Sequence, residues 1–147
     1  NLGLVACDQG DYSTARARYE RSLAIRREIG DRQGIAMSLH NLGTLDYYEG
    51  SHIAARKLQR EALDIRMALG DRRGSALSLE LLGDVAFALS DPIRAARIWG
   101  AAQRLRQEIG APLPPSGLPR YENQINAPRA ALACDAACAR AWNEGCN

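Results

Sequence analysis

Apolar residues in the middle of the chain recur at intervals of three and four. Ile35, Leu39, Leu42 and Leu45 form one stripe and Ile53, Leu58, Ala62, Ile65 and Leu69 another, with Arg, Lys, Gln and Glu filling the positions between them. Such spacing gathers the apolar side chains on one face of an α-helix and the polar ones on the other. It predicts an all-α protein built from pairs of amphipathic helices.

A longer period lies over the helical one. Residues 1–40 and 41–80 align without a gap at about 16 identities, and a third copy runs from Leu82-Gly83 through Ala95, Ala102 and Arg106 to Gly110. An active site needs different residues converging from different elements, whereas a repeat of this length is one helix pair that must bury its apolar face on its neighbours. The product of such an array is a surface.

Punctuation falls at the same places in each copy. Gly10 and Gly50 stand between the two helices of a unit, where a residue that tolerates positive φ closes the first helix cheaply; Ser90 replaces them in the third copy. Pro92 then falls at a helix start, where its missing N–H costs nothing. Gly30 and Gly70 end the second helix, and Asp31 and Asp71 are placed to cap the next one by accepting N–H bonds. Gly-Asp-Arg therefore reads as a helix-to-helix joint and not as a phosphate loop. Gly3, Gly43 and Gly83 in the first helices and Ala15, Ala55 and Ala95 in the second are expected to let two backbones approach, with Tyr19 and Trp99 filling the space between turns. A bulky residue at Gly43 is expected to cost about 1–3 kcal/mol by overpacking.

These residues resemble the tetratricopeptide repeat, in a 40-residue form longer than the usual unit of about 34. The first copy carries its pattern in Leu2-Gly3, Gly10-Asp11-Tyr12, Ala15 and Tyr19. The second carries it in Leu42-Gly43, Gly50, Ala55 and Ala62, and the third in Leu82-Gly83, Ala95, Trp99 and Ala102. The second copy departs at His52, where Tyr is usual, and at Gln59, where an aromatic is usual. Asp46 falls where the family buries an aromatic; an Arg of the adjacent second helix is its expected partner, and His52 is expected to pack in place of Tyr12.

The resemblance implies a right-handed superhelical stack of antiparallel helix pairs. Residues 1–110 would form three repeats, the first truncated, residues 111–119 a Pro-rich linker, and residues 120–147 capping helices. It also implies a non-enzymatic protein-interaction module that holds a protein or peptide segment on a concave face lined by the first helices. That stripe reads Met37, His40, Thr44, Tyr47 and Tyr48 in the second repeat and Leu77, Glu80, Asp84, Phe87 and Ala88 in the third; the truncated first leaves Leu4, Cys7 and Asp8. Aromatic and methionine side chains there are the kind of anchor a partner helix uses, although Tyr47, Tyr48 and Phe87 have an alternative as packing between repeats.

The segment Ile98 to Pro115, Tyr121, Arg129 to Leu132 and Ala141 to Gly145 is similar to the C-terminal end of large bacterial regulators. These join an ATP-binding module to a helical repeat array, and they include LuxR-type transcription factors and cyclase-linked ATPases. The similarity implies a sensor or scaffold arm; the alternative is an array that binds a small molecule or signal peptide and controls an upstream ATPase or transcription-factor domain. Asn1 aligns with Asn41 inside a repeat, so the chain reads as cut from a longer one, with an open first repeat available for self-association.

Composition narrows the chemistry. Hydrophobic residues at 46% and charged residues at 24% fit a soluble globular protein, and no apolar run approaches the roughly 18 residues of a membrane helix. The net charge of +2 arises from 19 basic and 17 acidic side chains interspersed along the same helices, so no direct nucleic-acid binding is expected. Cys7, Cys134, Cys138 and Cys146 are too unevenly placed for a disulfide framework, which favours a reducing cytoplasm. Cys134 and Cys138 have i, i+4 spacing but no neighbouring His, so they read as packing thiols and neither metal nor cofactor is expected. Glu80 and Asp84, one turn apart, read as exposed helix-face charge or as an acidic floor for a basic partner before they read as catalytic carboxylates. His40 and His52 lie on different helices with no triad around them, so no enzyme is expected.

Overall fold

The computed structural model describes residues 11–110 together with 140, 141, 143 and 144. Five helices follow one another: α1 (Asp11–Ile29), α2 (Arg32–Tyr48), α3 (His52–Ala68), α4 (Arg72–Ala88) and α5 (Pro92–Glu108). No strand occurs among the described residues, as the apolar spacing predicts. Compact packing divides the chain into an N-terminal unit, Asn1–Gly70, holding α1 to α3, and a C-terminal unit, Asp71–Asn147, holding α4 and α5. Residues 1–10, the Pro-rich segment 111–119, most of residues 120–147 and all four cysteines lie outside the described residues.

The joints form as their residue types dictate. Oδ1 of Asp31, Asp71 and Asp91 accepts the backbone N–H of Gly34, Gly74 and Arg94 at 3.0, 2.9 and 3.2 Å, satisfying donors that a helix start leaves without an internal partner. Pro92 occupies the first turn of α5. At the other ends, Gly30, Gly50 and Gly70 take φ of +72°, +86° and +71°, and Ser90 takes +63°. Around Gly50 the N–H of Gly50 bonds the Tyr47 carbonyl at 3.1 Å and that of Ser51 bonds the Asp46 carbonyl at 2.8 Å; Ser90 and Asp91 repeat this at Phe87 and Ala86. Both are Schellman closures, which use up the last carbonyls of the helix.

Each unit has its own core. In the N-terminal unit Leu23 of α1, Leu39 and Leu42 of α2 and Ala62 of α3 are buried together, with Tyr19, Ile35, Leu58 and Ile65 packed around them. In the C-terminal unit Ala86, Ala95, Ala96 and Trp99 form the cluster, and Ala141 of the tail closes it. Arg97 of α5 pairs with Glu144 of the same tail at 3.0 Å.

Two expectations need correction. Ile53 and Leu69 are not core; they stand at the ends of α3 and are 66% and 44% exposed, and of the apolar stripe only Ala62 is buried, with Leu58 and Ile65 partly buried against it. Nor do the glycines mainly let backbones approach. A Cβ on Gly43 would sit 2.6 Å from Nε2 of Gln59, and one on Gly83 would collide with the indole of Trp99. These glycines are notches for a flat side chain of the second helix.

Candidate interaction surface

The first helices carry the stripe expected to meet a partner, and the structure sorts its members into two groups. On α2, Met37 is 48% exposed. Tyr47 and Tyr48 are half-buried and pack edge to face, with ring centroids 5.6 Å apart at 70°, and Tyr47 also leans on His52 of α3 at 5.4 Å. Thr44 is half-buried too, and its hydroxyl donates to the His40 carbonyl at 2.8 Å. On α4, Leu77 is half-buried and Phe87 is 38% exposed, its ring lying 5.9 Å from that of Trp99. Leu4, Cys7 and Asp8 lie outside the described residues.

The polar members turn inward. Glu80 and Asp84, expected as solvated charge or an acidic floor, are 4% and 8% exposed. Glu80 receives Arg106 of α5 on both oxygens, Nε on Oε1 and Nη2 on Oε2 at 3.2 Å, the bidentate geometry that gives a buried ion pair its strength. Oδ1 of Asp84 accepts the indole N–H of Trp99 at 3.0 Å, and the Glu80 carbonyl stands 3.3 Å from the same nitrogen. These positions of α4 face α5, and the acidic side chains are consumed by the helix pair. Neither carboxylate is left open to a basic partner or to a substrate.

His40 is half-buried and is held by the second helix of its hairpin. Its Nδ1 meets Oε1 of Gln59 at 2.9 Å, while Nε2 of Gln59 donates to the His40 carbonyl at 2.8 Å. Gln59 is fully buried. Desolvation first and the charge of Arg66 second lower the His40 pKa to about 4, with the bond to Gln59 acting in the opposite direction.

Several residues that govern this interior are not on the expected stripe. Arg66 and Arg106 are each 6% exposed, and Arg26 reaches from α1 to the Gly34 carbonyl at 2.8 Å and to Oγ of Ser38 at 3.1 Å. The three arginines stand at intervals of 40 in the sequence, a signal already visible in the repeat alignment. Asp46, 6% exposed, pairs with Arg16 of α1 at 2.7 Å, an arginine of the adjacent second helix as expected. Nδ1 of His52 is the one buried side-chain polar atom without a hydrogen-bond partner among the described residues; its ring fills space against Tyr47 as a packing group.

Residues 1–68 match the family model described as Tetratricopeptide repeat. The match covers under half of the chain and marks its N-terminal part as similar to that family, whose repeats generally mediate protein–protein interaction. No curated protein and no solved structure matches the chain significantly. In tetratricopeptide terms α1 is the second helix of the first repeat and α2 with α3 is the second repeat, at whose end the match stops. The pair α4 and α5 carries the same register 40 residues on. No described helix is long and apolar enough to cross a membrane, and no group of three or more His, Cys, Asp or Glu residues that could hold a metal occurs among the described residues.

Proposed function

We propose that the chain is a tetratricopeptide-type module that takes polypeptide segments of a partner protein on its first-helix stripes, with Met37 as the apolar anchor beside Thr44, Tyr47 and Tyr48 on α2 of the N-terminal unit and Phe87 as the anchor on α4 of the C-terminal unit. The observation that carries this reading is the sorting of the stripe. Its charged and titratable members, His40, Glu80 and Asp84, are engaged inside the helix pairs, whereas Met37 and Phe87 stay exposed. What these helices offer a partner is therefore apolar and aromatic, which suits the anchors of an amphipathic segment. The resemblance of the tail to bacterial regulators supports a role as the sensor or scaffold arm of a larger cytoplasmic regulator.

A peptide array probed with the wild-type chain and with a Met37→Ala, Phe87→Ala variant tests the surface. Loss of the two anchors is expected to weaken bound peptides by about tenfold or more, the scale of one hot-spot contact, at unchanged far-UV circular dichroism. An unchanged set of peptides at unchanged intensity would remove these stripes as the binding surface.

A further inference from the structure

The second helices α1 and α3 carry the same stripe 40 residues apart. On α3 it runs through Ala54, Leu58, Glu61, Ile65 and Leu69, and on α1 through Thr14, Arg18, Arg21, Ile25 and Ile29. Steps of three and four keep each series on one side of its helix. On α3 this side is covered: Leu58 and Ile65 pack against the core of Leu23 from α1, Leu39 and Leu42 from α2, and Ala62, and Glu61 pairs with Arg27 of α1 at 3.5 Å. On α1 it is open. Arg18 and Arg21 are exposed, Ile25 and Ile29 are 49% and 70% exposed, and a groove of about 410 Å³ runs along Ser13, Thr14, Ala17, Arg18 and Arg21.

Charge decides what suits this side. The arginines of α1 that face its neighbours are met by carboxylates, Arg16 by Asp46 and Glu49 of the α2 end and Arg27 by Glu61 of α3. Arg18 and Arg21 have no ion-pair partner among the described residues. Of the described acidic side chains of α1, Glu20 lies around the helix from the stripe and Glu28 stands beside Ile29 at the C-terminal end, so the N-terminal half of the stripe is basic. A second copy of α1 laid antiparallel on it would set arginine against arginine, which like-charge repulsion disfavours.

We propose that α1 docks an acidic amphipathic helix of a partner protein on this stripe, with carboxylates one turn apart on Arg18 and Arg21 and aliphatic side chains of the following turns on Ile25 and Ile29. The form follows from α3, whose equivalent side packs on helices. The charge follows from the arginines and is the reverse of the Arg27–Glu61 pairing, in which the stripe supplies the acid. This site is separate from the first-helix stripes and reads charge, where those offer apolar anchors.

Fluorescence anisotropy with the whole chain tests it. The probe is a labelled alanine-based helical peptide with two Glu one turn apart and two Leu on the same face; the controls carry Lys for Glu, or place Glu and Leu on opposite faces. The acidic probe is expected to bind, more weakly as salt rises, and about tenfold or more tighter than either control. Arg18→Glu with Arg21→Glu should reverse the preference, releasing the acidic probe and taking the Lys peptide. Should that variant lose helicity, Ile25→Ala decides, with an expected loss of about threefold to tenfold. Met37→Ala with Phe87→Ala should leave the affinity unchanged, which separates this site from the first-helix surface. No binding at about 1 mM probe, equal binding of the opposite-face control, a preference that survives charge reversal, an Ile25→Ala affinity equal to wild type, binding lost in the Met37, Phe87 variant, or a wild-type dimer in sedimentation that charge reversal dissociates would each overturn the proposal.

Discussion

In the α2/α3 hairpin Gln59 fills the notch beside Gly43, and in the α4/α5 hairpin Trp99 fills the notch beside Gly83. One is an amide and the other an indole, yet each directs an N–H at the first-helix carbonyl three residues before its glycine, Gln59 at His40 over 2.8 Å and Trp99 at Glu80 over 3.3 Å. The register thus demands a flat side chain with a donor at its edge, because a glycine in mid-helix leaves both a groove to fill and a carbonyl within reach of whatever fills it. Aromatic character is optional at that position. What changes is the surrounding chemistry: the indole buries a large apolar body against Ala86, Ala95, Ala96 and Ala141, whereas Gln59 brings a small polar network with His40.

That difference sets the largest expected effect. Trp99→Ala removes a side chain only 1% exposed and should destabilise the chain by about 3–5 kcal/mol, as large cavity-forming truncations do. Gln59→Ala takes the partner from the His40 imidazole, whose carbonyl keeps the Thr44 hydroxyl, and should cost about 1–3 kcal/mol. Urea unfolding followed by circular dichroism measures both. Equal losses would mean that the two residues contribute only hydrogen bonding, and the comparison between notch-fillers would fail.

How far the sequence reaches is clearest at these same positions. Asp31, Asp71, Gly30, Gly70, Gly50 and Pro92 could be assigned because capping and positive φ are decided within a turn of the residue concerned. The helix pairs were equally legible, since apolar spacing and the 40-residue period report on burial directly. Glu80, Asp84 and His40 could not be placed that way. Spacing of three and four assigns a helix face, but a polar residue at the margin of that face is solvated or buried according to what the neighbouring helix supplies, here Arg106, Trp99 and Gln59. The recurrence of Arg26, Arg66 and Arg106 in all three copies was the available clue, since exposed arginines such as Arg32 and Arg72 recur only in the first two. Ile53 and Leu69 show the opposite case, in which apolar residues at helix ends continue a stripe beyond the region its neighbour covers.

The two hairpins also differ in buried charge, Glu80 facing Arg106 where the earlier copy has His40 and Arg66. Removing one member of the buried Glu80–Arg106 pair strands the other, so Arg106→Met alone should cost about 3 kcal/mol, whereas Glu80→Leu with Arg106→Met should come close to wild-type stability. A double variant as unstable as the single one would show that the pair is held for its hydrogen bonds into the helix network and not only for mutual neutralisation. His40→Glu, which writes the C-terminal arrangement into the N-terminal hairpin, sharpens the same contrast from the other side.

The smallest effect lies at the turns. Both hairpins close through the same Schellman geometry, with the second residue after the first helix in the left-handed region, but that residue is Gly50 at φ +86° in one and Ser90 at φ +63° in the other. An L-residue in this conformation brings Cβ against the neighbouring carbonyl at a cost of about 1–2 kcal/mol, and glycine is free of it. Part of the gain from Ser90→Gly is offset by the greater freedom glycine confers on the unfolded chain. The net expectation is a stabilisation of about 0.5–1 kcal/mol, and Gly50→Ser should lose a similar amount. The pair of exchanges matters more than either alone, because nothing lies within 4 Å of a Cβ placed on Gly50 and a clash of the Cβ with its surroundings cannot explain a penalty there. Opposite signs at the two turns, read from urea midpoints with unchanged slopes, would isolate backbone conformation as the cause; stabilisation at neither would mean that Ser90 sits in its turn without strain.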